Sequence, residues 1–114
     1  MKYMLLLYAD ESGFGRVSQD EMMKIMGAYR AYTEALQKAG VHMDSSRLRP
    51  AADATRVNIA NGKTNVLDGP YAETKEQLGG YFLIDVPDLD SAISWAAKCP
   101  GASHGTVEVR PLWA

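Results

Sequence analysis

The side chains with the clearest capacity for chemistry lie in one short polar segment. Three carboxylates surround one ammonium group there, contributed by Asp68, Glu73, Lys75 and Glu76. In a cleft, such a cluster would have perturbed pKa values and could transfer protons as general acids and bases. On a solvent-facing loop, the same residues would be ordinary hydrated charges. We therefore treat these four as candidate catalytic residues, with a solvated turn as the alternative.

A second candidate site is formed by tyrosines. The hydroxyl of a buried tyrosine needs a hydrogen-bond partner, and a cavity lined by Tyr8 and Tyr29 would offer such hydroxyls to a ligand. The candidate ligand-binding residues are Tyr8, Tyr29, Tyr71 and Arg110. The alternative is that the tyrosine hydroxyls reach solvent or a backbone carbonyl. Arg110 shares a strand face with Glu108, so the two side chains either form an ion pair or complete a polar site.

The sequence argues against several other chemistries. Cys99 is the single cysteine, which excludes an internal disulfide and a four-cysteine zinc site within one chain. His42 and His104 lack a metal-ligand spacing. No nucleotide-binding loop, Ser-His-Asp order or haem motif is present. We predict neither a metal nor a cofactor.

Length and composition favour one folded domain over residues 1–114. Apolar residues make up 46% and charged residues 23%, and the net charge is -2, so nucleic-acid binding is not expected. The apolar run at residues 3–9 is too short to span a bilayer. No export signal follows it, so we predict a cytoplasmic protein without membrane association.

The elements that must position these residues follow from local patterns. The run at 4–9, ended by turn residues, predicts a central strand. Ser18 and Glu21 form a capping box that begins a helix of about five turns, and Gly40 ends it. Weak alternation at 41–44 predicts a short strand, and 81–86 and 106–110 predict two more. Asp88 is suited to capping a second helix, which Pro100 and Gly101 end.

A β-hairpin is predicted at residues 56–67. Two alternating segments, 56–60 and 63–67, flank Asn61-Gly62. Both turn residues tolerate the positive φ angles of a type I′ turn.

The order of elements predicts the fold class. Without the hairpin, the order is β-α-β-β-α-β, so we predict a ferredoxin-like α+β fold with an inserted hairpin. Its strands are too apolar to leave the helix-free face of the sheet in water. A homodimer joined through these faces, as a dimeric α/β barrel, would cover them. The alternative is a monomer in which the hairpin folds over the open face.

The sequence resembles a known family. Residues 68–81, read as DGPYAETKEQLGGY, resemble the signature of the DGPF branch of the YCII-related family, with Tyr71 in place of the phenylalanine. The resemblance extends over nearly the whole chain. It implies a small bacterial protein with a ferredoxin-like dimeric α/β-barrel fold, often encoded beside alternative sigma factors. A His-Asp pair has been proposed as catalytic in the wider family, but Tyr29 occupies the place of that histidine.

Two functions remain open after these observations. The favoured one is a dimeric small-molecule-binding or regulatory accessory protein. The alternative is a cofactor-independent acid-base enzyme of lyase, isomerase or hydrolase type, acting on a small polar or aromatic substrate.

Overall fold

The computed structural model describes residues 1–69 and 75–113, with the backbone alone at 13–15. The strands are β1 (Lys2–Ala9), β2 (His42–Arg47), β3 (Thr55–Ala60), β4 (Lys63–Asp68), β5 (Gln77–Asp85) and β6 (Thr106–Pro111). The helices are α1 (Gln19–Lys38), α2 (Leu89–Lys98) and the single turn α3 (Gly101–His104). Short 3-10 helices lie at Glu11–Arg16 and Ala51–Asp53.

Four strands form an antiparallel sheet in the order β2-β5-β1-β6. β1 is central, as its continuous apolar run predicted. The strands β3 and β4 form a separate two-stranded sheet. The described chain is therefore an antiparallel α+β structure that is consistent with the predicted ferredoxin-like fold and its inserted hairpin.

Alternation along the strands builds the core on one face of the sheet. Tyr3 and Leu5 on β1 and Ile84 on β5 are buried against the helices. The ring of Tyr32 on α1 meets the ring of Phe82 edge-on, with centroids 5.1 Å apart, and its hydroxyl donates to the Trp95 carbonyl at 2.6 Å. These contacts fix the second half of α1 on the sheet.

The opposite face of the sheet, which we call the open face, carries no helix. Register places Met4, Leu6 and Tyr8 of β1 on it, beside Tyr81 and Leu83 of β5. These five side chains are partly exposed. An apolar row thus stays in contact with water in the single chain.

The hairpin turn is confirmed. Asn61 has φ 53° and Gly62 has φ 75°, the two positive angles of a type I′ turn. Every residue of β3 and β4 is exposed. The alternative in which the hairpin folds over the open face is therefore wrong for the single chain.

Both predicted helix caps are confirmed. The Ser18 hydroxyl accepts from the Glu21 amide at 3.1 Å, and Gly40 takes a left-handed φ of 74° after α1. The Asp88 carboxylate accepts from the Ser91 amide at 2.8 Å. Hydrogen bonds from the backbone and the side chain of Ser91 lower the pKa of Asp88. Within residues 1–69 and 75–113, no helix is long and apolar enough to cross a bilayer.

β2 and β5 extend well beyond one of their predicted ends. β2 continues through Ser45 and Ser46 to Arg47, because the backbone of these residues pairs with β5 and this pairing does not depend on their side chains. β5 begins at Gln77, four residues before the predicted start. A Cβ atom on Gly80 would lie 2.9 Å from the Ser46 carbonyl oxygen. The absence of a side chain at Gly80 therefore permits the close approach of the two strands.

Candidate functional site

The first half of α1 stands away from the sheet and leaves a cavity beneath it. The side chains that α1 buries, Tyr32 and Leu36, both lie in its second half. Met22 and Ile25 in the first half are only half-buried. The resulting cavity has a volume of about 590 Å³, within the range of small-molecule sites.

Apolar side chains form most of the cavity wall. They include Leu7, Val17, Met22, Ile25 and Phe82. Polar residues from several elements also line the cavity, among them Asp10, Glu11, Tyr29, Arg47 and His104. Such a wall is suited to a compact, mainly apolar molecule held in one orientation by a small number of polar contacts.

Tyr29 supplies a hydrogen-bond donor to this cavity. Burial raises the pKa of Tyr29, the nearby Cys99 adds to the rise, and the Arg47 guanidinium opposes it. The hydroxyl therefore keeps its proton at neutral pH. A Cβ atom on Gly101 would lie 2.9 Å from that hydroxyl oxygen. The absence of a side chain at Gly101 leaves room for the Tyr29 ring.

Arg47 was missed by the sequence analysis because the predicted strand ended at residue 44. It lies at the end of β2, opposite Gly80. Its Nη1 donates to the Met26 sulfur at 3.4 Å, and a thioether is a weak acceptor. A carboxylate or phosphate would be a stronger partner for this guanidinium.

Glu11 was also missed, and it positions the cavity rim. Both of its carboxylate oxygens lie 3.1 Å from the Ala51 amide, which donates to them. The Glu11 amide donates to the Gln77 side chain at 3.2 Å. These bonds tie the two 3-10 helices and the start of β5 together beside the cavity. Glu11 and Ala51 are 40 residues apart in the sequence, so no local sequence pattern predicts this contact.

A second cavity, of about 520 Å³, lies where the sheet meets the base of the hairpin. Its wall includes Tyr8, Glu76, Leu78 and the hairpin residue Arg56. Tyr8 also lines the first cavity, so the two cavities adjoin there. Tyr8 and Leu78 are cross-strand neighbours. The second cavity thus continues the open face towards the hairpin.

The structure gives the described acid-base candidates different partners. Asp68 is exposed and accepts from the Thr55 hydroxyl at 3.0 Å across the hairpin. Glu76 accepts from the Thr106 hydroxyl at 3.0 Å. Lys75 is exposed. Hydrogen bonds from Ser12 lower the pKa of Asp10, and the charge of Lys75 adds to this effect. Glu73 lies outside the described residues.

Of the described ligand-binding candidates, two line the first cavity and one lines neither cavity. Tyr8 and Tyr29 both line the first cavity. Arg110 lies on the open face beside Met4 and forms an ion pair with Glu108 along β6. It does not line either cavity. Tyr71 lies outside the described residues.

The described residues contain neither a cluster of metal ligands nor an exposed cysteine. Over residues 1–69 and 75–113, no three histidine, cysteine or acidic side chains are grouped as metal ligands. Cys99 is buried, and burial raises the pKa of its thiol. The thiolate, which is the reactive form, is therefore disfavoured at neutral pH.

The fold and the cavity together define a class: small antiparallel α+β proteins with a pocket between the first helix and the sheet. Family comparison is more specific. The model of the YCII-related domain matches residues 1–114, and the chain belongs to the YCII-related family. It is also similar to an uncharacterized protein of Rhizobium meliloti (strain 1021), with 40% identity over 114 residues, covering 98% of this chain and 92% of that protein.

Proposed function

We propose that this protein binds a small molecule in the cavity beneath α1, acting as a dimeric regulatory accessory protein of the DGPF branch in the cytoplasm. The observation that carries the binding proposal is the cavity of about 590 Å³ with the protonated Tyr29 hydroxyl in its wall. A mainly apolar wall excludes water from the body of a ligand, and isolated polar groups fix its orientation.

The wall also restricts the ligand chemistry. An aromatic or aliphatic body fits against Leu7, Ile25 and Phe82, and a hydrogen-bond acceptor on it would receive the Tyr29 proton. A negative charge on the ligand would be attracted to Arg47 at the cavity mouth. The proposed ligand is therefore a compact apolar molecule that carries an acidic or carbonyl group.

Binding is favoured over acid-base catalysis by the positions of the charged candidates. Catalysis by Asp68, Lys75 and Glu76 requires these groups to lie within hydrogen-bond reach of one bound substrate. Their described contacts run instead to Thr55, to the neighbourhood of Asp10 and to Thr106. The cavity offers Tyr29 and Arg47 for recognition. Its two carboxylates, Asp10 and Glu11, accept from the backbone amides of Ser12 and Ala51.

The dimer is proposed from the open face. Met4, Leu6 and Leu83 form an apolar row that a second copy would remove from water. A symmetric pair of identical faces satisfies both chains at once.

The test of binding is a fluorescence titration with 8-anilino-1-naphthalenesulfonate, an apolar probe that carries one negative charge. Met22→Trp fills the cavity, and we expect it to weaken the specific binding at least ~10-fold, because the probe and the indole need the same space. Met23→Trp is the matched control, because Met23 is 72% exposed and does not line the cavity. Circular dichroism checks that both variants are folded.

Equal binding by the two folded variants would contradict the cavity proposal. Tyr29→Phe separates shape from hydrogen bonding. It preserves the ring and removes the donor, and we expect about 5-fold weaker binding from the loss of one hydrogen bond.

A further inference from the structure

The β3–β4 hairpin projects from the body of the molecule as an arm whose residues are all exposed. Val57 is 62% exposed, Ile59 is 73% exposed and Val66 is 61% exposed. The register places these three side chains on the same face of the hairpin. Asn58 and Asn65 pair on the opposite face. The arm is therefore amphipathic, with its apolar face in water.

An amphipathic two-stranded ribbon requires a partner. An isolated hairpin is marginally stable in water, and a third strand or a packing surface is normally needed. The described body does not supply one, since both strands are exposed along their whole length. The radius of gyration of 16.0 Å exceeds the ~13 Å expected for a compact chain of this size. The arm extends the molecule without burying its own apolar face.

We propose that the apolar face of this arm packs against a second copy of the chain, so that in the dimer each protomer's arm contacts the other protomer. The proposal rests on the dimer proposed above and extends it from the sheet to the arm. The second cavity connects the two surfaces, because its wall includes Tyr8 and Leu78 from the sheet and Arg56 from the arm. A copy seated on the open face is consequently adjacent to the arm.

The area of the open face supports this occupant. Four strands of about six residues cover ~20 Å by ~20 Å, which is roughly 400 Å². A stable dimer buries about 800 Å² on each partner. Each face of the arm covers roughly 200 Å² more by the same spacing. One arm donated to the partner and one arm received from it would enlarge this footprint by more than half.

The test uses paired charge substitutions on the two faces of the arm. Ile59→Lys with Val66→Lys puts two charges on the apolar face, and Asn58→Lys with Asn65→Lys puts the same two charges on the polar face. Sedimentation equilibrium of the full chain from 0.1 to 100 µM gives the dimer dissociation constant. We expect the first pair to raise that constant about 100-fold or more, because charges would be buried without partners, and the second pair to change it less than about 3-fold.

Equal dissociation constants for the two pairs would overturn the arm proposal. Leu6→Lys on the open face makes its failure distinguishable from failure of the dimer. A parent dimer that is lost in Leu6→Lys but kept in the apolar-face pair supports the sheet contact and refutes the arm. A monomeric parent at 100 µM refutes both.

Amide hydrogen exchange supplies a second readout that does not depend on a variant. If the arm packs on a second copy, the amides of β3 and β4 should be protected more strongly as the parent protein is concentrated through its dissociation constant. Exchange in the arm that is independent of protein concentration, in a protein that dimerises, would contradict the proposal.

Discussion

In the four-stranded sheet and in the β3–β4 arm, successive side chains point to opposite faces, yet the two regions use this geometry differently. In the sheet, Leu5 and Ile84 are completely buried beneath the helices. In the arm, Val57 and Ile59 stand mostly in water. Alternation therefore specifies a strand and the side chains that share a face. It does not specify what covers that face, which depends on the elements that arrive from elsewhere in the chain or from another chain.

The largest expected effect contrasts one buried residue with one exposed residue. Leu5→Ala should lower the free energy of unfolding by about 3 kcal/mol, because it leaves a cavity in the packed core. Val57→Ala should change it by less than about 0.5 kcal/mol in dilute protein, because the side chain is exposed there. Urea denaturation at two protein concentrations measures both. A cost for Leu5→Ala no greater than that for Val57→Ala would contradict the assignment of the core.

The next effect concerns space in the body of the molecule. A Cβ atom on Gly105 would collide with the Tyr8 carbonyl oxygen. Gly105→Ala should therefore destabilise the protein by about 2 kcal/mol, because the backbone must shift. The control is Gly27→Ala on α1, where a Cβ atom meets nothing within 4 Å. That change should stabilise the protein by about 1 kcal/mol through higher helix propensity. Thermal or urea unfolding of both variants would refute the steric account if their effects had the same sign.

At the arm tip the constraint is backbone conformation, since a Cβ atom on Gly62 also meets nothing within 4 Å. Gly62→Val should destabilise the arm by about 1 kcal/mol, because a β-branched residue resists the positive φ. Gly62→Asn tolerates that angle and is the control. Amide exchange of β3 and β4 in dilute protein should accelerate about 5-fold in the valine variant. Unchanged amide exchange in the valine variant would mean that the conformation of the turn does not limit the stability of the arm.

The smallest effect is a pH dependence that arises from groups buried between the helices and the sheet and not from the arm. Burial raises the pKa values of Cys99, Tyr29 and Tyr32. The unfolded chain therefore releases these protons first, so this contribution to stability is complete below about pH 8.5 and falls as the pH rises. We expect a loss of about 1 kcal/mol between pH 8 and pH 10 in urea denaturation.

Tyr32→Phe should flatten the upper part of this profile, because it removes one of the raised groups. Val57→Ala should leave the shape of the profile unchanged, since Val57 belongs to the arm. A profile of the parent that stays flat to pH 10 would contradict the burial of these groups.

Most of the fold could be predicted because its signals are local. The apolar run of β1, the Ser18 cap, Gly40 and the Asn61-Gly62 turn each determine structure through their own neighbours. The lengths of β2 and β5 could not be predicted in this way. Ser45 and Ser46 are poor strand residues, and they extend because β5 is already beside them.

The site was less accessible to prediction because it depends on a gap. Tyr8 and Tyr29 were candidates for a cavity wall, with hydroxyls that reach solvent or a backbone carbonyl as the alternative. However, the gap between the first half of α1 and the sheet arises because the residues that anchor the helix, Tyr32 and Leu36, lie in its second half. Arg47 and Glu11 reach the cavity through contacts with residues distant in sequence. The acidic segment attracted attention by its composition alone, and its described members contact different neighbours.

The base of the arm has a consequence for how this molecule can change over evolutionary time. The Gly69 amide donates to the Ala54 carbonyl at 2.7 Å, so the chain leaves the body and returns to it at a single point. Insertions or deletions of residue pairs between these positions alter the reach of the arm and leave the register of the four-stranded sheet intact. Mutation can therefore vary the partner geometry of the arm without disturbing the folding of the body that carries the cavity.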